Sequence, residues 1–344
     1  MAKLTLLQFI RGQCKKPAPV VKTNLAGQTV VVIGANTGLG FEACKHFASM
    51  NPGRLILGCR NKAKGDAAVE KIKAETGYQA ELWIIDLSSF ASVKAFVDKF
   101  EKEGGRLDIL VENAGIMGSE EYEVTEDGWA SIFQVNDIAP SLHALLLLPH
   151  MLRTAAEHGT TPRIVMVSSE MHYWSNLIRD KGVVGSKNML KELSSKEYYK
   201  RSNSQARYCD SKLLNVYFAR ALQKRLTKTK PTITVNCLNP GFCLSEFRRE
   251  MGAFMASFNW LMEKSLAFTT EEGSRQLVYA AIAEKDKEDR MKGAYISSSD
   301  VVEPSDDVVS EEGAKIEDRL WNELLDVCKE LDPRVQEIAS KYLQ

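Results

Sequence analysis

The 344-residue chain reads as an α/β protein: a doubly wound, Rossmann-type parallel sheet with helices on both faces. Three observations predict it. Short apolar runs recur and alternate with segments of helical apolar spacing, the rhythm of βαβ units around a parallel sheet. The first run, Thr29-Val30-Val31-Val32-Ile33, is continuous and β-branched, as suits a strand buried on both faces. A glycine cluster, Gly34-Ala35-Asn36-Thr37-Gly38-Leu39-Gly40, then stands between that run and the first helix of the rhythm.

Residues 1–26 form an arm whose Lys15-Lys16-Pro17-Ala18-Pro19 is a breaker-rich linker. A frayed terminus suits the arm better than a membrane or partner contact through the amphipathic Leu4–Ile10. Residues 27–344 are then a single Rossmann-type domain. Strands are expected at Thr29–Ile33, Arg54–Cys59, Glu81–Asp86, Asp108–Val111, Arg163–Ser168 and Thr232–Leu238. Helices are expected at Phe41–Met50, Ala63–Thr76, Ser89–Glu103, Gly128–Arg153 (broken near Pro140) and Ala206–Thr227. Residues 171–207 and 242–270 are insertions in this rhythm. Both follow strand ends, where open α/β sheets bind ligands.

Composition narrows the function. Lys+Arg and Asp+Glu are both 45, so no charge surplus exists to hold a nucleic acid or an anionic membrane. Hydrophobic residues at 44% exclude the disordered class. Seven cysteines without a CxxC imply reduced thiols in a reducing compartment, and no His/Cys/Asp cluster has metal spacing, so no metal is expected. The apolar patch Ala144–Leu148 ends at Pro149, so no transmembrane segment is expected. A cytoplasmic protein follows, with peripheral membrane contact through the arm left open.

In the glycine loop, one glycine permits the tight turn, one lets the backbone approach a pyrophosphate, and one lets helix and strand pack. The helix N-terminus offers its N–H groups to the phosphates. An ordinary tight turn would use the same glycines; the strand–loop–helix order is what makes a dinucleotide site. The GxxxGxG spacing resembles the short-chain dehydrogenase/reductase family, with Ile33 where that family usually has Thr. Further matches follow in family order. Asp86, with Leu87, stands where the family holds adenine. Glu112-Asn113-Ala114-Gly115 resembles its NNAG, with Glu for the first Asn, a residue that braces the sheet in the family. Val135-Asn136 resembles the helix Asn of the catalytic tetrad. Ser168-Ser169 and Tyr208-Cys209-Asp210-Ser211-Lys212 resemble the Ser and YxxxK pair, and Asn239-Pro240-Gly241 the turn beside the nicotinamide. The resemblance covers about residues 27–300. It is closest to retinol-dehydrogenase-like members, among them fungal enzymes of secondary metabolism, and Arg319-Leu320-Trp321 resembles their tail. It implies cofactor contacts from Gly34, Asn36, Thr37, Gly38, Leu39 and Gly40, from Asp86 and Leu87, and from Asn113, Ala114 and Gly115. Tyr208, Lys212, Pro240, Gly241, Cys243 and Ser245 complete that cofactor set.

The chemistry of the pair is direct. Residues four apart share a helix face, so Lys212 sits beside the Tyr208 phenol, whose free pKa is about 10. A neighbouring ammonium favours the phenolate. Tyr208 can then exchange a proton with a carbonyl or alcohol oxygen near neutral pH. The resemblance implies that Lys212 also holds the nicotinamide ribose, that Ser169 holds the substrate oxygen (Ser168 being the alternative), and that Asn136 supports a relay water. Each of these residues alone is equally well a buried, hydrogen-bonded polar group; their order along the chain points to an enzyme. No GxSxG or His/Asp partner supports Ser169 as a hydrolytic nucleophile. His172 reads either as a substrate contact or as a solvated loop histidine.

After the second strand, Arg60-Asn61 with Lys62 and Lys64 stand where NAD enzymes place an acid. A guanidinium suits a 2′-phosphate, so NADP(H) is the expected cofactor; Arg60 stacking on adenine with tolerance of both cofactors is the alternative. Met171, Tyr173, Trp174, Tyr198 and Tyr199 in the first insertion suit a bulky apolar substrate. So do Phe247, Met251, Phe254, Met255, Phe258, Trp260 and Met262 in the second; helix packing or a dimer face is the competing use. The expected protein is an NADP(H)-dependent oxidoreductase moving hydride between nicotinamide and a carbonyl or alcohol of a lipophilic small molecule. A homodimer is left open. The rivals are a nucleotide-binding protein without turnover, a retinol- or sterol-type alcohol oxidation, and a membrane-docked interaction protein acting through the arm.

Overall fold

In the computed structural model, which describes residues 5–15, 17–103, 105–226, 231–244 and 266–343, the expected rhythm becomes one sheet. Its strands are β1 (Thr29–Ile33), β2 (Arg54–Cys59), β3 (Glu81–Ile84), β4 (Ile109–Glu112), β5 (Arg163–Val167), β6 (Thr234–Asn239), β7 (Tyr295–Ser297) and β8 (Asp300–Val302). They lie in the order β3-β2-β1-β4-β5-β6-β7-β8. All pairings are parallel except the last, β7 with β8. The chain winds outward from β1 to β3, then returns to place β4 beside β1. The C-terminal edge between β1 and β4 is therefore the topological switch point, where this class of sheet opens a crevice.

The alternation of side chains along each strand divides the core in two. Val31, Ile33, Ile56 and Leu110 face one apolar layer, built with α4 (Phe90–Glu103), α5 (Ala139–His158) and α6 (Ser204–Leu226). Val30, Val32, Leu55 and Leu57 face the other, built with α2 (Gly38–Ala48), α3 (Lys62–Thr76) and α7 (Thr270–Ile282). Both faces are covered, which is why the strands read as continuous apolar runs.

Several elements differ from the sequence expectation. The third strand ends at Ile84, and Asp86 lies in the turn beyond it. The break near Pro140 is a π-helical turn at Gln134–Ile138 that leads into α5. Pro140 follows that turn inside the continuous stretch 131–158; lacking an N–H, it cannot bond a carbonyl of the turn before it, and the Asn136 carbonyl there accepts from Asn215 Nδ2 at 2.8 Å. The helical stretch 131–158 is long and apolar enough to cross a membrane, yet 89% of its most apolar window is buried inside the fold. Glu112, at the family's Asn position, meets α5: its Oε1 lies 2.6 Å from Nδ1 of the buried His143. Strands β7 and β8 and the C-terminal helices α8 (Glu311–Leu331) and α9 (Arg334–Tyr342) extend the fold. In α8, Ile316, Leu320, Trp321, Leu324 and Val327 form the buried stripe, and Trp321 stacks on Phe218 of α6.

Among its described residues the arm is not frayed. It forms a helix, α1 (Leu6–Gln13), whose Phe9 and Gln13 are buried. Further along, Leu25 is fully buried, and Arg275 of α7 donates to the Ala18 carbonyl at 3.2 Å.

Candidate active site

The switch point is closed by contacts that only glycine permits. Gly34 has φ +78°, and a Cβ there would stand 2.9 Å from Ala114. A Cβ on Gly40 would stand 2.4 Å from the Gly34 carbonyl oxygen and 2.6 Å from Asn113 Nδ2. Asn113 Nδ2 in turn donates to the carbonyls of Ile33 and Gly34 at 3.1 and 3.0 Å. The loop after β4 and the loop after β1 are thus one unit. Helix α2 begins at Gly38; Thr37, its N-cap, makes no side-chain capping bond. A Cβ on Gly38 would meet nothing within 4 Å among the described residues. Uncapped N–H groups beside open space are what an anion needs. The chain's own residues therefore fit a dinucleotide pyrophosphate: Asn36, Thr37, Gly38, Leu39 and Gly40 surround the helix start, with Asn113, Ala114 and Gly115 opposite.

The Pro240–Cys243 turn reaches the same edge through α7. A Cβ on Gly273 would collide with Cys243 Sγ at 2.2 Å, Leu39 Cδ2 at 2.9 Å and the Pro240 carbonyl oxygen at 3.3 Å. Helix α7 opens on a capping box: Thr269 Oγ1 accepts from Glu272 N–H (3.1 Å) and Thr269 N–H donates to the Glu272 carboxylate (2.9 Å). Gly241 has φ +84° and donates its N–H to Asn239 Oδ1. Cys243 is buried against its own turn. Ser245 lies outside the described residues, as do Phe247, Met251, Phe254, Met255, Phe258, Trp260 and Met262.

At the far end of the crevice, Arg60 is exposed immediately after β2 and makes no ion pair among the described residues. Lys62 is engaged with Asp66 at 2.7 Å, and Asn61 caps α3 by accepting from Lys64 N–H. Asp86 Oδ1 accepts from the Ser88 N–H and hydroxyl, which orders the turn after β3, and Leu87 is buried beneath it.

The catalytic candidates converge on α6. Lys212 is buried; its Nζ donates to the Val167 carbonyl at 3.0 Å and to Asn215 Oδ1 at 3.1 Å, and lies 5.6 Å from the Tyr208 ring centre. Burial lowers its pKa to about 8, with Asp137 acting in the opposite sense. Asn136 sits in the π-helical turn, a distortion that often marks function. Its side chain accepts from Ile116 N–H (2.8 Å) and donates to the Ile116 carbonyl (2.9 Å) and Ser211 Oγ (3.0 Å). Its own carbonyl accepts from Asn215 Nδ2 at 2.8 Å. Asn215 is thus a member of the cluster that the sequence reading missed; its place three residues after Lys212, on the same helix face, was the available signal.

The two serines separate clearly. Ser168 is buried and its Oγ donates to the Lys212 carbonyl at 2.7 Å. Ser169 is half-buried, and its Oγ accepts from Met171 N–H at 3.2 Å, which leaves its own proton to give. His172 is neither a substrate contact nor a solvated loop residue. It is buried, its Nδ1 lies 2.7 Å from the Ser169 carbonyl, and its Nε2 accepts from Ser305 N–H at 3.1 Å. Burial depresses its pKa to about 4. It is a neutral strut that fixes the serine loop. Tyr198 and Tyr199 are also structural: Tyr198 donates to buried Asp210, and the Arg207 guanidinium lies 3.9 Å over the Tyr199 ring.

Residues 28–175 match the family model described as short chain dehydrogenase. The short chain dehydrogenase/reductase dmxR8 of the fungus Cryptosporiopsis is 33% identical over 330 residues, covering 95% of this chain and 98% of that relative. The chain belongs to the short-chain dehydrogenase family. This short-chain dehydrogenase, an oxidoreductase, is also 32% identical to the short-chain dehydrogenase anuD of Penicillium roqueforti, over 97% of this chain and 86% of that one. Among solved structures, an uncharacterized Mycobacterium paratuberculosis protein matches with a TM-score of 0.64 at 23% identity, covering 90% of this chain and 98% of that one. A short chain dehydrogenase from Escherichia coli, solved with NADPH, matches with a TM-score of 0.59 at 22% identity, covering 81% and 99%.

Glu170, beside Ser169, escaped the sequence reading. Burial pushes its pKa up to about 7, against a hydrogen bond from Asn239. A carboxyl raised in the folded state contributes fully below its unfolded pKa of about 4.3, and that contribution is lost as pH rises through about 7. Glu170→Gln is therefore expected to flatten the fall in stability between pH 5 and 8, which amounts to roughly 2–3 kcal/mol. Urea unfolding of both proteins at the two pH values checks this; parallel losses in wild type and variant would refute it.

Proposed function

We propose that this short-chain dehydrogenase is NADP(H)-dependent and interconverts a carbonyl and an alcohol on a lipophilic small molecule. The observation that carries the reading is the buried Lys212 ammonium beside the Tyr208 phenol, with Ser169 at the neighbouring strand end. The nicotinamide, when bound, supplies or accepts the hydride. Tyr208 gives its phenolic proton to the carbonyl oxygen, or takes the alcohol proton in the reverse direction. Lys212 favours the phenolate by its charge. Ser169 donates a hydrogen bond to the same oxygen, where negative charge develops. Asn136 and Asn215 hold Lys212 and the π-helical turn in register. Gly34, Gly40 and the α2 N-terminus would hold the pyrophosphate, and Lys212 the ribose. The fungal resemblance supports a terpenoid- or polyketide-like ketone or aldehyde as substrate. An NADPH-consumption screen over apolar ketones and aldehydes, with product identification, tests the reading. Tight NADPH binding with no turnover on any of them would favour a nucleotide-binding protein instead.

The NADP(H) preference is supported by Arg60, exposed and without an ion pair among the described residues, and by the lack of an acid directly after β2. A charge-assisted hydrogen bond to the 2′-phosphate contributes about 1.5–3 kcal/mol, or roughly 10- to 150-fold in affinity. Arg60→Ala is expected to weaken NADPH by that factor and spare NADH; Arg60→Asp should go further and favour NADH. Titration of both cofactors decides it, and equal losses for the two would refute the assignment.

A further inference from the structure

We propose that α1 is a wall of the substrate site, where Phe9 with Trp174 and Phe242 receives a flat aromatic group and the Gln13 amide bonds a hydroxyl on it. Phe9 and Gln13 are four residues apart, so they share one helix face, and both are 8% exposed. That face meets the two loops that flank the reacting groups. The Phe9 ring lies edge-on to Trp174, with centroids 6.3 Å apart, and edge-on to Phe242 at 6.0 Å. Trp174 ends the short 3-10 helix that follows Ser169, and Phe242 follows Gly241. Phe242 is fixed by its carbonyl, which accepts from Phe268 N–H at 2.8 Å.

Two features of this junction point to a ligand rather than to packing alone. Gln13 Nε2 lies 3.5 Å from where a Gly241 Cβ would stand, so the amide is at the turn beside the reaction centre. Its Oε1 is buried and accepts no hydrogen bond among the described residues. A buried acceptor left without a donor is costly and uncommon, and a ligand hydroxyl is the donor that satisfies it. Trp174 is 40% exposed and Leu244, on the turn side, 42%. A half-exposed indole with the Phe9 ring edge-on to it, and Phe242 edge-on to Phe9 in turn, suits a flat π system, which gains from offset and edge-on contacts. The competing occupant of such a surface, an aliphatic chain, gains nothing from ring geometry. The assignment of this junction to the substrate rests on the carbonyl–alcohol reading above.

The test uses the full chain saturated with NADP and two probes, 2-naphthol and 2-methoxynaphthalene, titrated calorimetrically. Wild type is expected to bind both, the naphthol more tightly. Phe9→Ala should weaken both about tenfold. Gln13→Leu should weaken 2-naphthol to the level of its methyl ether and leave the ether unchanged. Leu7→Ala, at a position 62% exposed, should change neither probe, and all three variants should keep wild-type affinity for NADPH. Wild type binding neither probe, or Phe9→Ala leaving both affinities intact, overturns the proposal. Equal losses in Leu7→Ala and Phe9→Ala overturn it too, since the helix would then act only as a structural strap. If wild type reduces no carbonyl yet Phe9→Ala still loses the probes, the reaction assigned above fails while the aromatic wall stands.

Discussion

Tyr208→Phe is expected to lower kcat by about 10³-fold or more while the fold and most of the NADPH affinity survive. In the proposed reaction the phenol exchanges the proton, and general acid–base groups contribute about 10²–10⁴-fold; phenylalanine keeps the ring and loses only the hydroxyl. Lys212→Ala should differ in kind. It removes the charge beside Tyr208 and the group expected on the ribose, and it strands the Val167 carbonyl and Asn215 Oδ1 that Lys212 Nζ now bonds. Activity, cofactor affinity and stability should all fall. The pH profile gives an independent reading. Burial brings the Lys212 pKa down to about 8, so its ammonium is present below that pH and lost as pH rises through it. With the ammonium goes the field that activates Tyr208, and carbonyl reduction should decline above pH 8. Steady-state kinetics and NADPH titration of both variants check the assignments. Near-normal kcat in Tyr208→Phe would show that another group handles the proton, and a cofactor loss equal to that of Lys212→Ala would show that the phenol acts mainly through the cofactor.

The parts of this protein that were legible in its sequence are those whose physics is local. Val30–Ile33 announces a doubly buried strand because β-branched residues fill both faces. The glycine loop is readable because contacts of 2.4–2.9 Å at Gly34 and Gly40 leave no room for a Cβ. Tyr208 and Lys212 are readable because four residues make one helical turn. What stayed hidden depends on partners far along the chain. His172 looked like a loop histidine because Ser305, its hydrogen-bond donor, is 133 residues away. Glu112 looked like a defect in NNAG because only the fold brings His143 to it. Strand β7 has three residues, too few for any periodicity. Helix α1 looked like a loose arm because Trp174 and Phe242, the rings that bury Phe9, are distant in sequence. The Arg60 position was legible from strand register alone, since β2 ends at Cys59 and delivers the next residue to the rim.

Ser169→Ala is expected to lower kcat by about 10²–10³-fold, the usual loss on removing one positioned donor to a developing oxyanion. Stability should change little, because the Ser169 hydroxyl accepts one bond, from Met171 N–H, in a half-buried loop. Ser168→Ala should behave in the opposite way. Ser168 is 2% exposed, and its hydroxyl donates to the Lys212 carbonyl, tying the end of β5 to α6. Its removal leaves a buried acceptor without that donor, at about 1–3 kcal/mol. The carbonyl belongs to the Lys212 backbone rather than to its ammonium, so kcat should fall less than tenfold. Adjacent residues in extended backbone point to opposite faces, and this divides the two roles: Ser168 bonds the α6 backbone, and Ser169, on the other side, carries the proposed oxyanion contact. Measuring kcat and urea stability for both variants separates them. A larger kcat loss in Ser168→Ala than in Ser169→Ala, with both proteins folded, would reverse the assignment and move the oxyanion donor to the buried residue.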